Sequence, residues 1–417
     1  MTPELSSHEE APRHSRAAVR MRTAAGAVAI TLVAVVTLSG AWLHFQANAG
    51  AVSSANASSS AGSSQIPSMS QTPGSTVAVH TGTFSLTGSL PTPQVAQTAT
   101  LLADGRVLVA GGSDDGSTPL ASALVYDPAN GSFSPTGPLA GARHSAVAAR
   151  LLDGRVLIAG GMGTETVLAT AELYDPKTGK FSPTGSMVAA RADGKATVLL
   201  DGRVLIVAGD GNDTYAVAFA ELYDPATGRF SRTGSMVTPR DSGFSATLLM
   251  DGRVLIAGGA DKDVNTLASA EIFDPGTGKF TATGSMTTGR GDHTATRLSD
   301  GRVLIAGGAN PPASLGQESA ELYDPKSGTF TPTGSMAVAR YGPMATLLAD
   351  GRVLIAGGSD PDTAGGGLRT AELYDPGRGT FSPAGSMLAG HWEDTVTLLP
   401  DGHVLIAGGG DAELFTP

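Results

Sequence analysis

No cysteine occurs in the 417-residue chain, which rules out disulfide staples and attachment through a lipidated cysteine. Basic residues are also scarce: 27 Lys and Arg stand against 38 Asp and Glu, and the portion beyond residue 22 holds 23 against 35. Nucleic acid or an anionic lipid surface requires a basic footprint that this balance does not supply. Several catalytic signatures are missing as well. There is no HExxH motif, no distinctive nucleophile elbow, and no glycine pair that runs into the Lys-Ser/Thr of a phosphate-cradling loop. Asp261-Lys262-Asp263 and Asp360-Pro361-Asp362 offer hard oxygen ligands, but neither extends into a full calcium loop, so both read as surface turns.

What is present is one phrase repeated seven times. DGRVL or DGHVL begins at Asp104, Asp153, Asp201, Asp251, Asp300, Asp350 and Asp401, at spacings of 48 to 51 residues. Periods of this size belong to solenoids and propellers. Within one unit, Ala246 to Leu249 and Val254 to Ala257 are apolar runs joined by Asp251-Gly252, the composition of a tight hairpin. A third run, Glu271 to Phe273, is followed by Asp274-Pro275-Gly276-Thr277-Gly278 and then Lys279-Phe280-Thr281. Proline fixes φ and lacks a donor while glycine tolerates positive φ, so this is a turn between a third and a fourth strand. Each unit is therefore a four-stranded antiparallel meander.

The ends of the chain are complementary. A lone fourth-strand pattern, Phe84-Ser85-Leu86-Thr87-Gly88, comes first, and the chain stops after a third-strand pattern, Ala412-Glu413-Leu414-Phe415. Pairing residues 83 to 87 with 412 to 415 makes a composite blade and closes a ring of seven, which removes the open edges of an array. The expected fold is an all-β, seven-bladed propeller over residues 79–417, monomeric, preceded by one N-terminal transmembrane helix.

That helix is read from residues 23–43, which carry no charged side chain and at about 1.5 Å per residue reach roughly 30 Å. Arg13, Arg16, Arg20 and Arg22 precede it, and the next Lys or Arg is Arg106. The asymmetry predicts a cytoplasmic basic tail over 1–22, a membrane-anchored chain and an extracytoplasmic propeller. Ala47-Asn48-Ala49 is an acceptable processing site, so cleavage after Ala49 would give a secreted product. Residues 44–78, rich in Ser, Ala and Gly, read as a flexible linker.

The unit resembles the kelch repeat. It shares the glycine pair after the second strand, as at Gly160-Gly161 and Gly258-Gly259, and aromatics such as Tyr174 with Phe181 and Tyr323 with Phe330 in the third and fourth strands. The resemblance covers residues 82–417. Phenylalanine stands where the family usually has tryptophan, and the third unit reads Ile206-Val207-Ala208-Gly209-Asp210 without the pair, which a local bulge would explain. The resemblance implies a binding scaffold, and it extends to copper radical oxidases. Their cysteine-modified tyrosine is closed to a chain without cysteine.

In a propeller whose first strand is innermost, the Asp-Gly and Asp-Pro turns share one face. The long second-to-third loops and the fourth-to-first crossings share the other, which is the expected recognition surface. Its loops include 113–120, 210–215, 261–265, 310–317 and 359–367. The crossings carry an arginine column, Arg143, Arg191, Arg240, Arg290 and Arg340, with His391 and Gln94 in the remaining places. An inward ring of arginines would clamp carboxylate, sulfate or sugar hydroxyls; the alternative is that each ties its crossing to backbone or acid groups. Beside them stand the less repetitive candidates His144, Asp193, Asp241, Asp292, His293, Tyr341, Trp392, Glu393 and Asp394. The expected partner is a carbohydrate or an extracytoplasmic protein, with no cofactor and no catalysis. Two alternatives stay open. His144, His293, His391, Tyr215 and Tyr341 would suit a mononuclear metal if they converged, and acid pairs such as Asp193 with Asp241 or Asp292 with Glu393 would suit glycan hydrolysis.

Overall fold

Alternating short apolar runs and Asp-containing turns fold locally into hairpins. In the turn at Asp153, the carboxylate accepts from the Arg155 backbone N–H at 3.0 Å and from its Nε at 2.8 Å. The same arrangement recurs at Asp104, Asp201, Asp251, Asp300 and Asp350. The computed structural model describes residues 81–212, 217–261, 263, 265–311, 316–360, 367–392 and 394–417. Over these, seven four-stranded antiparallel sheets form seven blades.

Blade one comprises Thr98–Leu101, Val107–Ala110, Ala123–Asp127 and Ser132–Pro135. Blades two to six repeat this order, with first strands at Val147–Arg150, Lys195–Val198, Phe244–Leu248, Thr294–Arg297 and Met344–Leu347. Blade seven takes Thr395–Leu398, Val404–Gly408 and Asp411–Thr416 from the end of the chain and Thr83–Leu86 from its beginning. The register is the expected one: Phe84 faces Phe415 and Leu86 faces Glu413. First strands neighbour one another around the axis and so line the centre.

Second strands such as Val156–Ala159 are buried along their whole length, because each blade is covered on both faces. The core is accordingly divided between successive blades. Leu108 and Val125 of blade one, for example, pack with Val156, Ile158 and Tyr174 of blade two. Each third-strand ring also lies against the fourth-strand ring beside it, with centroids 4.7–4.9 Å apart, as in Tyr223 with Phe230 and Phe84 with Phe415. Blades are further joined through Thr136 Oγ1 and Tyr174 Oη at 3.0 Å, a contact repeated at Thr87–Tyr126, Thr184–Tyr223, Thr283–Tyr323 and Thr333–Tyr374.

Two expectations are corrected here. The fold class does not include the transmembrane helix: every element of the described residues is a strand, and none of their helices is long and apolar enough to cross a membrane. Segment 23–43 itself lies outside the described residues, as do the basic tail, the processing site and the linker. Membrane anchorage, the membrane partner and the extracytoplasmic placement, which rested on that helix, are withdrawn with it. The third unit also contains no bulge between its first two strands, whose register runs unbroken from Lys195↔Val207 to Val198↔Val204. Ala208 instead adopts the left-handed conformation of the missing glycine, at φ 53°, where Gly160 has 67°. The glycine at the second place is needed for close approach: a Cβ on Gly161 would lie 2.5 Å from the His144 carbonyl oxygen and 3.0 Å from the Ala146 Cβ.

Candidate functional site

The arginine column is inside the protein. Arg143, Arg191, Arg240, Arg290 and Arg340 are at most 2% exposed. Each Nη2 meets a third-strand glutamate, in turn Glu172, Glu221, Glu271, Glu321 and Glu372, at 2.6–3.2 Å. Each Nη1 donates to the carbonyl of the first glycine position, such as Gly160 or Gly307, and to a second carbonyl at or just before the start of the third strand, such as Thr170 or Phe219. The glutamates also accept from backbone N–H groups of the crossings, Ala140 and Gly141 on Glu172, Val188 and Ala189 on Glu221. The guanidinium therefore fastens crossing, glycine turn and third strand together, and points its forked donors at protein groups rather than into the mouth.

The rim of the mouth is built two residues further on, or three after Arg240. Ala96, Ser145, Asp193, Gly243, Asp292 and Gly342 all have φ between 51° and 68°. The Ser145 N–H donates to the Ala96 carbonyl and the Asp193 N–H to that of Ser145, both at 3.0 Å; Asp292 donates to Gly243 at 2.8 Å and Gly342 to Asp292 at 3.1 Å. Blade-to-blade bonds thus form two arcs, with their ends at Asp193 and Gly243. At this junction the crossing into blade four is one residue longer than the others, since Ser245 takes the register place held by Val147 in blade two. Left-handed backbone disfavours side chains other than Asn and Asp, and here it holds Asp193 and Asp292 at the mouth.

The junction gathers acids. Asp210 and Asp241 hydrogen-bond each other through their side chains, and burial together with Asp241 pushes Asp210 up to about 8. Asp241 is itself raised, by burial and by Asp193 against the bond from Asp210. Burial pushes Asp193 up to about 6, opposed by a hydrogen bond from Ser145 and by Lys195 and reinforced by Asp210 and Asp292. Asp292 is raised by burial, against Lys195 and a hydrogen bond with Tyr341. Tyr341 continues to Trp392, with ring centroids 6.3 Å apart and planes at 39°. The structure thus brings Asp193, Asp241, Asp292, Tyr341 and Trp392 into one connected rim; Glu393 lies outside the described residues. Sequence reasoning missed Lys195 and Asp210, although Asp210 follows the one unit that breaks the glycine pair.

The histidines do not join this group. His144 sits over Ser145, 3.3 Å away, and burial lowers its pKa. His293 is buried, with Nε2 2.9 Å from Ser245 Oγ and its pKa brought down to about 3 by burial and then by Arg290. His391 has both ring nitrogens on carboxylates. Among the described residues no three His, Asp or Glu side chains are grouped as a metal would require, and Tyr215 lies outside them.

The kelch motif matches residues 96–140 and 143–188. The chain is a seven-bladed propeller of kelch-type repeats. A comparison with curated proteins returns no match. Among solved structures, a fungal alcohol oxidase of the AA5 family, in complex with copper, is similar at 19% identity and TM-score 0.68, over 81% of this chain and 77% of its own. The structure of YjhT is similar at 16% identity and TM-score 0.57, over 72% of this chain and 99% of its own. At these identities the likeness is one of fold. The donor set does not fit the copper of the oxidase: the kelch-type chain has no cysteine, and its histidines are engaged separately in blades two, five and seven.

Proposed function

We propose that this kelch-type propeller is a binding module without catalytic activity, and that it takes a carbohydrate at the mouth of its loop-rich face. The observation that carries the reading is the meeting of Asp193, Asp210, Asp241 and Asp292 with Lys195 on a rim fixed by backbone bonds between blades. Carboxylates accept from hydroxyl groups, Lys195 donates, and the Tyr341–Trp392 pair offers ring surface to the apolar face of a sugar. Rigid placement of the polar groups lowers the ordering cost of binding. A glycan-hydrolysing reading draws on Asp210, which keeps a proton near neutral pH beside Asp241. Their direct hydrogen bond, however, brings these two closer than the ~5 Å of a retaining pair, so no sugar bond fits between them.

The test is a glycan panel applied to the full chain, with products followed over time. Binding without turnover is expected, and Asp193→Asn with Asp292→Asn should weaken it by about tenfold or more, each charged hydrogen bond contributing about 1.5–3 kcal/mol. Binding untouched by the double change, no glycan bound, or release of a shortened glycan would each overturn the proposal.

A further inference from the structure

Blade seven departs from the others at its buried ion pair. Where five blades have arginine, it has His391, 2% exposed, with Nδ1 2.6 Å from Asp394 Oδ2 and Nε2 3.0 Å from Glu413 Oε1. A neutral imidazole has one N–H and can donate to only one of two carboxylates; the imidazolium donates to both. Glu413 also accepts from the Leu388 and Ala389 backbone N–H groups. It belongs to the strand that closes the ring, and its backbone faces Leu86 of the N-terminal strand. This is the only blade assembled from both ends of the chain, so the one titratable member of the column stands at the seam.

We propose that His391 is a pH-sensitive latch on ring closure: protonated, it ties Asp394 and Glu413 together, and on losing its proton it loosens strand Thr83–Leu86 from Asp411–Thr416. Without the proton, one of the two buried carboxylates loses the imidazole N–H, which is costly away from water. Among the described residues, the titratable groups that act on His391 are Asp394 and Glu413. Burial lowers its pKa, but its bonds to both acids outweigh this and raise it above the ordinary 6.5. The stabilisation is therefore complete below about 6.5 and is lost as pH rises through the higher folded-state value. Burial raises Asp394 too, against His391, so the folded seam holds protons that the unfolded chain gives up. An arginine, charged at all these pH values, has no such dependence.

Hydrogen exchange on the full chain reads the latch directly. After correction for intrinsic rates, protection of the amides of Thr83–Leu86 should fall about tenfold or more between about pH 5.5 and about pH 8.5, relative to the outer strand Ser132–Pro135 of blade one, the effect of losing one charged hydrogen bond. His391→Arg should abolish this difference while keeping the strand protected, and His391→Gln should abolish it with the strand unprotected at both values. Equal behaviour of the two outer strands in the unmodified protein, or an unchanged pH response in His391→Gln, would overturn the proposal, and the first outcome needs no variant to fold.

Discussion

Arg290 and Glu321 show what a single buried pair does in this protein. Both are at most 1% exposed, and Arg290→Gln would leave Glu321 facing the Thr287 N–H without its countercharge. Breaking such a pair costs about 3–5 kcal/mol. The chain itself contains the neutral alternative: at the corresponding places blade one has Gln94, which donates to Ser122 at 3.0 Å, and Leu124 in place of the glutamate. Arg290→Gln combined with Glu321→Leu is therefore expected to recover most of the loss, measured by denaturant unfolding; equal instability of single and double variants would contradict this account. The charge is then a fastening with substitutes, and the forked geometry matters through the crossings it holds.

Between blades, the Tyr–Thr contacts provide a comparable experiment. The fourth third strand has Phe273, so Thr233 Oγ1 donates only to the Gly278 carbonyl, at 3.3 Å. Blade seven has Phe415, and the fourth strand of blade six that faces it has Ala384 in place of threonine, so hydroxyl and partner are absent together. Tyr323→Phe should lower stability by about 0.5–1.5 kcal/mol, the usual net worth of one hydrogen bond. Phe273→Tyr, which gives Thr233 the partner found in five other blades, should raise it by a similar amount. Thermal unfolding of both variants checks the pair, and a loss in each would show that ring shape, rather than the hydroxyl, governs the contact.

Closure makes these local contacts one system. Each core cluster is shared by neighbours, and cluster residues Leu405, Ala407 and Ala412 of blade seven pack with Val107 and Tyr126 of blade one. Deleting residues 411–417 removes the strand that pairs with both Thr83–Leu86 and Val404–Gly408, and also removes Glu413, the partner of His391. The expected result is loss of the cooperative unfolding transition throughout the ring. A truncated chain that melts as sharply as the intact one would mean that the blades do not depend on closure.

Blade number, strand order and the closing register are determined by the sequence alone, because they rest on local chemistry. Asp-Gly and Asp-Pro turns fix hairpins, apolar runs need cover on two faces, and the missing strands at the two ends match. Candidate residues on the crossings are legible for the same reason, since their place in each repeat gives their place on the ring. The direction of a side chain is not. Arg290 and Asp292 are two residues apart, yet the arginine turns to Glu321 and the aspartate, at φ 51°, meets Tyr341 of the next crossing. Ala208 standing as a glycine and the extra residue before Ser245 give no local signal that they open the junction where Asp210 meets Asp241. These outcomes depend on which neighbouring blade supplies the partner and on how much water the closed ring excludes, and burial and proximity of that kind arise only once the blades have packed.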